Sequence, residues 1–204
     1  MAAARALFYR NGIHETGISE LAREAEVSKR TIYQLFESKD DIVVAYLHHI
    51  GAHGRLGTRS LDRYDLSPRE RLVALFDPPD RPVYFRGCPM HNAAVELAGS
   101  GHPGRAVIAA HKRATLAKLA ETAAEAGARD PAVLAEHLLT LHEGATALAT
   151  SLADLRSFDF ARSAATALIA AALGEDLGED PGVHPVGAGV HPAPDAGSAV
   201  PSAR

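Results

Sequence analysis

Apolar residues recur along most of this chain at spacings of three and four, and strand-like alternation is almost absent. The pattern predicts an all-α protein. A first helix runs from the start to Arg10, with Ala3, Ala4, Leu7 and Phe8 on one face, and Asn11-Gly12 ends it. Two short helices follow at about 18–25 and 29–36, the second with Ser28 as its N-cap. A fourth starts after Ser38, with Asp41 as capping-box partner, and continues through Ile50. Gly51 to Ser60 reads as a loose segment. Ser67-Pro68 opens the next helix, and Asp77-Pro-Pro-Asp-Arg-Pro82 breaks the chain after it. Further helices are expected over about 89–98, from the Ser100–Gly104 turn to about 126, from Asp130-Pro131 to about 155, and over about 160–173.

Residues 175–204 differ in composition. They hold five Pro, five Gly and few large apolar groups, so they cannot bury enough surface to offset their ordering entropy, and a disordered acidic tail is expected. The whole chain has a net charge of −4, but acids and bases balance over residues 1–174. Any nucleic-acid binding must therefore come from a local patch. The single cysteine, Cys88, excludes an intrachain disulfide framework and a multi-cysteine metal cluster. No apolar run reaches the ~18 residues of a membrane span. The N-terminus carries Arg5 and Arg10 without a long apolar core, which does not read as a signal peptide. A soluble cytoplasmic protein with no membrane partner is expected.

Residues 18–36, ISELAREAEVSKRTIYQLF, read as a short helix, a tight turn and a second short helix. Ile18, Leu21, Ala22, Val27, Ile32, Leu35 and Phe36 are expected to form one small core. Lys29, Arg30, Thr31, Tyr33 and Gln34 then face outward, with no acid between Val27 and Phe36. A helix N-terminus adds its own donors and positive end, which suits phosphates and base edges.

The segment 3–47 resembles the DNA-binding domain of TetR-family transcriptional regulators. The matching residues are Ala3, Ala4, Leu7, Phe8, Gly12, Thr16, Ile18, Leu21, Ala22, Val27, Ser28, Lys29, Thr31, Ile32, Tyr33, Phe36, Ser38 and Lys39. The stretch Phe85–Glu96 also looks like one seen in a large group of these regulators. The resemblance implies that Thr16, Tyr33 and Lys39 hold the DNA backbone and that Ser28, Lys29 and Thr31 open the recognition helix. Arg30 and Gln34 fall where the family varies, and their chemistry suits guanine and adenine edges respectively. Two departures stand out. Glu26 lies where the family often has Gly, so a positive φ there would strain the turn. The first helix also begins at Met1, without the basic arm the family often carries; either the natural start lies upstream or the backbone contacts are fewer.

Three domains of role are expected: DNA binding over 1–47, effector binding and dimerisation over 48–174, and the tail over 175–204. Arg86, His91, Asn92, Glu96, His111, His137, His142 and Glu143 are polar groups on otherwise apolar helices, candidates to line a pocket for an unidentified small-molecule effector. The last two helices carry Leu138, Leu141, Ala145, Leu148, Leu152, Ala164, Leu168, Ile169 and Ala172, which fit a monomer core as well as an interface. The resemblance implies a homodimer through them.

His48, His49 and His53, or Cys88 with His91, supply too few ligands for a metal site, and none is expected. Gly99–Gly104 matches a dinucleotide glycine pattern but lacks the preceding strand, so no cofactor is expected. No nucleophile–base arrangement marks an enzyme. The expected function is a regulator, a repressor released by its effector from a palindromic double-stranded operator. The alternative is a helical small-molecule or metal-binding protein with a vestigial DNA-binding domain.

Overall fold

The computed structural model describes residues 1–53, 58–79, 85–99 and 101–175. All of the expected tail but Glu175, residues 80–82 of the Pro-rich break, residues 54–57 of the loose segment and Ser100 lie outside them. The described residues are all α-helical, without strands: α1 Ala2–Asn11, α2 Ile18–Glu24, α3 Lys29–Leu35, α4 Lys39–His53, a 3-10 turn Thr58–Asp62, α5 Pro68–Ala74, α6 Pro89–Glu96, α7 Gly104–Glu125, α8 Pro131–Leu152 and α9 Arg156–Leu173. No described helix is long and apolar enough to cross a membrane.

Helix starts follow side-chain chemistry. Ser28 Oγ accepts from the Thr31 N–H at 3.0 Å and starts α3. Ser67 and Glu70 exchange side chain and backbone as a capping box, with Pro68 in the first turn of α5. Asp130 accepts from the Val133 N–H ahead of α8. Ser38 and Asp41 form the same reciprocal pair before α4. That helix runs on through Gly51 to His53, past the end expected for it.

The boundary between the last two helices differs from the sequence expectation. α8 stops at Leu152 and α9 starts at Arg156, four residues before the expected start. Ala153 makes the turn at φ 50, and the Asp154 carboxylate accepts from the Arg156 N–H at 3.0 Å. No Gly or Pro marks this corner, which is held by its own capping bond and by Phe158 burying itself in the core.

The turn between α2 and α3 closes as a Schellman motif. The Val27 N–H donates to Ala22 O and the Glu26 N–H to Arg23 O. Glu26 takes the left-handed position at φ 54, where Gly127 serves the end of α7. A side chain there costs about 1 kcal/mol. Glu26→Gly is therefore expected to raise the unfolding free energy by about 1 kcal/mol in urea melts, leaving the helical signal unchanged.

Two cores organise the molecule. The first joins Leu7, Phe8, Leu21, Ile42, Val43, Tyr46 and Leu47 to Met90 and Ala93 of α6 and Ile108 of α7. The second joins Leu72, Phe76, Leu119, Leu138, Phe158 and Ile169. α7 is thus a strut between them, its first half in one and its second half in the other. α4 runs unbroken through residue 47, and α6 and α7 pack into the first core from beyond it. Each fully buried large side chain contributes about 1.5–3 kcal/mol.

Candidate functional site

α3 packs against α2 through Ile32, which is buried, while Ile18 and Phe36 are half-buried against the same core. Two residues expected in that core lie outside it: Val27 and Leu35 are exposed, Leu35 at 72%. A two-turn helix resting on one neighbour has room to bury little more than one residue per turn. Its outer face carries Lys29, Arg30, Tyr33, Gln34 and Leu35, with Thr31 half-buried beside the Ser28 cap. The face has no carboxylate. An apolar Leu35 among the polar groups was not read as functional from the sequence, and it adds a contact suited to a thymine methyl.

Lys39, at the start of α4, reaches back to donate to His14 O at 3.3 Å. Thr16 departs from its expected role. It is fully buried, and its hydroxyl donates to Gly12 O at 2.7 Å, so the side chain closes the α1–α2 loop from inside and does not present a surface group.

The segment before α6 fastens this helical unit to the rest. Arg86 donates through its guanidinium to Tyr9 O and Arg10 O, at 3.3 and 2.7 Å, satisfying carbonyls of the last turn of α1. The Arg86 N–H donates to the Tyr9 hydroxyl, which donates in turn to Gly87 O. Glu96 accepts from the His14 N–H at 2.9 Å. Gly87 has φ 78, and a Cβ there would meet Thr150 Oγ1 at 2.7 Å, so any other residue would be strained and would push Thr150 aside. Arg86 and Glu96, expected in an effector pocket, are instead turned toward α1 and its following loop.

A cavity of about 310 Å³ opens between α5, α7, α8 and the segment before α6. It gathers His111, His142 and Glu143 from the expected set. His91 and Asn92 line a smaller cleft nearby, and His137 is exposed on α8. Phe85, Cys88, Lys112, Thr115 and Phe158 line the same 310 Å³ cavity, and the sequence reading did not include them. Lys112 donates to Glu143 at 2.6 Å and lies 3.9 Å from Cys88 Sγ. Arg113 and Lys118 on the same helix look no different in the sequence, so nothing there singles Lys112 out.

The His142 ring packs edge-on to Phe76 and Phe158. Burial lowers its pKa, only partly offset by Glu143, while Lys112 lowers it further. His111 is lowered for the same reasons, burial first. Both imidazoles are therefore neutral at pH 7, each offering one donor and one acceptor to a ligand inside aromatic walls. Among the described residues no three His, Cys, Asp or Glu side chains cluster as metal ligands. His49 and His53 stack at 4.3 Å, and the His53 Nδ1–H donates to His49 O.

The last two helices present opposite faces. Leu138, Ala145 and Ile169 are buried in the second core. Leu148, Leu152 and Phe160 stand out at 54%, 67% and 66% exposure around a groove of about 480 Å³ floored by Gly144, Ala145 and Ala161. Apolar side chains this exposed and this close together mark an interaction face.

Residues 1–46 match the family described as bacterial regulatory proteins, tetR family, and residues 69–165 match the tetracyclin repressor-like C-terminal domain. The chain is 35% identical over 81 residues to the HTH-type transcriptional regulator HbdR of Aromatoleum sp. (strain CIB), a match spanning 40% of this chain and 31% of that protein. Among solved structures, a protein of Streptomyces avermitilis described as a TetR-type transcriptional regulator is 34% identical, with a TM-score of 0.69 over 84% of this chain and 94% of that one. The TetR-family regulator SCO4454 of Streptomyces coelicolor superposes with a TM-score of 0.76 at 25% identity, over 84% and 93% of the two chains.

Proposed function

The chain belongs to the TetR family of bacterial regulatory proteins, and from that premise we propose that it is a dimeric, cytoplasmic repressor released from a palindromic operator by a small molecule. The observation that carries the reading is the outer face of α3: cationic, free of carboxylates, capped by Ser28 and exposed among the described residues. Arg30 and Gln34 read base edges, Leu35 meets a thymine methyl, and Lys29, Thr31, Tyr33 and Lys39 hold phosphates. Ser28 acts through its backbone and its cap.

A second copy packs on the α8–α9 groove, so that two α3 helices enter successive major-groove faces of one duplex. The effector occupies the cavity lined by His111, His142 and Lys112. Phe85 and Cys88 line that cavity while Arg86 and Gly87, between them, hold Tyr9 and Arg10 of α1. A ligand that displaces this segment therefore shifts α1 and the helices on it, selecting a spacing unsuited to DNA.

Base readers and phosphate holders are distinguishable. Gln34→Ala is expected to lose ~1–3 kcal/mol of discrimination at one base pair, with other positions unchanged. Lys39→Ala is expected to weaken all duplexes evenly and flatten the salt dependence by about one unit of slope. Anisotropy titrations of both variants against an operator and its single-base mutants, at several salt concentrations, check the assignment; identical profiles would contradict it.

A further inference from the structure

We infer, on the reading that the cavity of about 310 Å³ is the effector site, that it takes an uncharged, flat aromatic molecule carrying a hydroxyl group, a phenol or naphthol in chemical class. Rings form part of its wall. Phe85 meets Phe158 edge-on at 6.3 Å between centroids, and Phe158 meets the His142 imidazole in the same way at 6.1 Å. One more flat ring extends this edge-to-face series. A cavity of about 150 Å³ holds benzene, so this one has room for two fused rings.

The charges of the wall are already matched. Among the described lining residues, Arg59 and Lys112 stand against Asp77 and Glu143. Lys112 and Glu143 are joined at 2.6 Å and half-buried. Arg59 and Asp77 are exposed, and Asp77 pairs with Arg162. A carboxylate or ammonium on the ligand would leave water for a wall whose inner charges are spent, or break the Lys112–Glu143 pair to find a partner. An uncharged ligand does neither. The polar groups left over select a hydroxyl. Thr115 Oγ1 donates to His111 O at 3.1 Å and Thr146 Oγ1 to His142 O at 2.8 Å, which leaves both hydroxyls as acceptors only. The His142 ring makes no hydrogen bond among the described residues, and Glu143 Oε1 stands 4.0 Å from its Nδ1. A neutral imidazole keeps one donor and one acceptor. An aromatic hydroxyl uses both kinds at once, donating to one of these acceptors and accepting from the imidazole N–H. An ether only accepts.

The chain has no tryptophan, so the fluorescence of naphthalene probes reads binding directly. Titration of the full chain at pH 7 with 2-naphthol, 2-naphthoate, naphthalen-2-ylmethylammonium and 2-methoxynaphthalene tests the class. 2-Naphthol is expected to bind at least tenfold more tightly than either ion and roughly fivefold more tightly than the ether, which lacks one hydrogen bond. Glu143→Gln leaves Lys112 without its partner and should improve 2-naphthoate at least tenfold relative to 2-naphthol. A neighbouring hollow beside α1 and α4 shares Cys88 and His111 with this cavity, so the place of binding is read from a variant on each side. His142→Leu should weaken 2-naphthol roughly fivefold, and Ala6→Phe, in the hollow, should leave it unchanged. Circular dichroism melts confirm that each variant is folded, and the comparison of the four probes on the wild-type chain needs no variant. Absent 2-naphthol binding, equal or tighter binding of an ion or of the ether, or sensitivity to Ala6→Phe with none to His142→Leu would overturn the proposal. Operator affinity is measured separately: 2-naphthol that binds as expected without releasing the operator supports the ligand class and contradicts the regulatory reading of the cavity.

Discussion

Glutamates at Leu148 and Phe160 together should make the protein monomeric and lower operator affinity by about 100-fold or more. A dimer that engages two half-sites gains roughly 10²–10⁴ over one half-site binding alone, because the second contact is intramolecular. Leu148 and Phe160 stand on adjoining rims of the α8–α9 groove, more than half exposed, so their replacement leaves the core of Leu138, Phe158 and Ile169 intact. Sedimentation should report half the wild-type mass, with an unchanged melting curve at the concentration where wild type is itself dissociated. A double variant that remains dimeric would place the interface elsewhere, and a monomer with full operator affinity would remove dimerisation from the mechanism.

The second large effect concerns Arg86. Its guanidinium holds two carbonyls at the end of α1, and hydrogen bonds involving a charged group contribute about 1.5–3 kcal/mol each when well shielded. Partial exposure reduces that figure. Arg86→Ala is expected to loosen the last turn of α1 by about 2 kcal/mol, read as roughly 30-fold faster amide exchange at residues 8–11, where 1.4 kcal/mol is tenfold. Arg86→Lys should rescue it only in part, because both bonds come from Nη1, at the end of the guanidinium, and the shorter lysine side chain places its ammonium farther from the two carbonyls. Tyr9→Phe removes the hydroxyl between the Arg86 N–H and Gly87 O and should add a smaller effect on the same amides. Unchanged exchange in all three variants would rule out this segment as the link between cavity and α1.

Much of this architecture was legible in local chemistry. Ser28, Ser38 with Asp41, Ser67 with Glu70, and Asp130 with Pro131 announce helix starts because the capping partner lies three residues away in the chain. The outward face of α3 was legible for the same reason, as an acid-free stretch with its cap. At Glu26 the signal came from the resemblance, which puts a glycine there in many relatives, and the structure has φ 54 at that residue.

What stayed hidden depends on contacts between residues far apart in sequence. Arg86 and Glu96 look like pocket groups on an apolar helix, and only the approach of α1, more than seventy residues earlier, makes them fasteners. Periodicity marks the apolar side of a helix without naming its partner, so Leu138 and Leu148 read alike although one is core and the other exposed. Thr16 matches a DNA-contacting position by resemblance, yet its hydroxyl is spent on Gly12 O. In α3 the two-turn length was too short for spacing to separate Leu35 from Ile32.

In the proposed regulator, α3 of each protomer reads a major groove. Selection of bound sequences from random duplex DNA, followed by titration of the enriched duplex at rising salt, tests it most directly. The expected result is an imperfect palindrome with half-site centres about one helical turn or a multiple apart, and affinity that falls steeply with salt. Enrichment of no sequence, or equal affinity for the selected duplex and for one with scrambled half-sites, would contradict it.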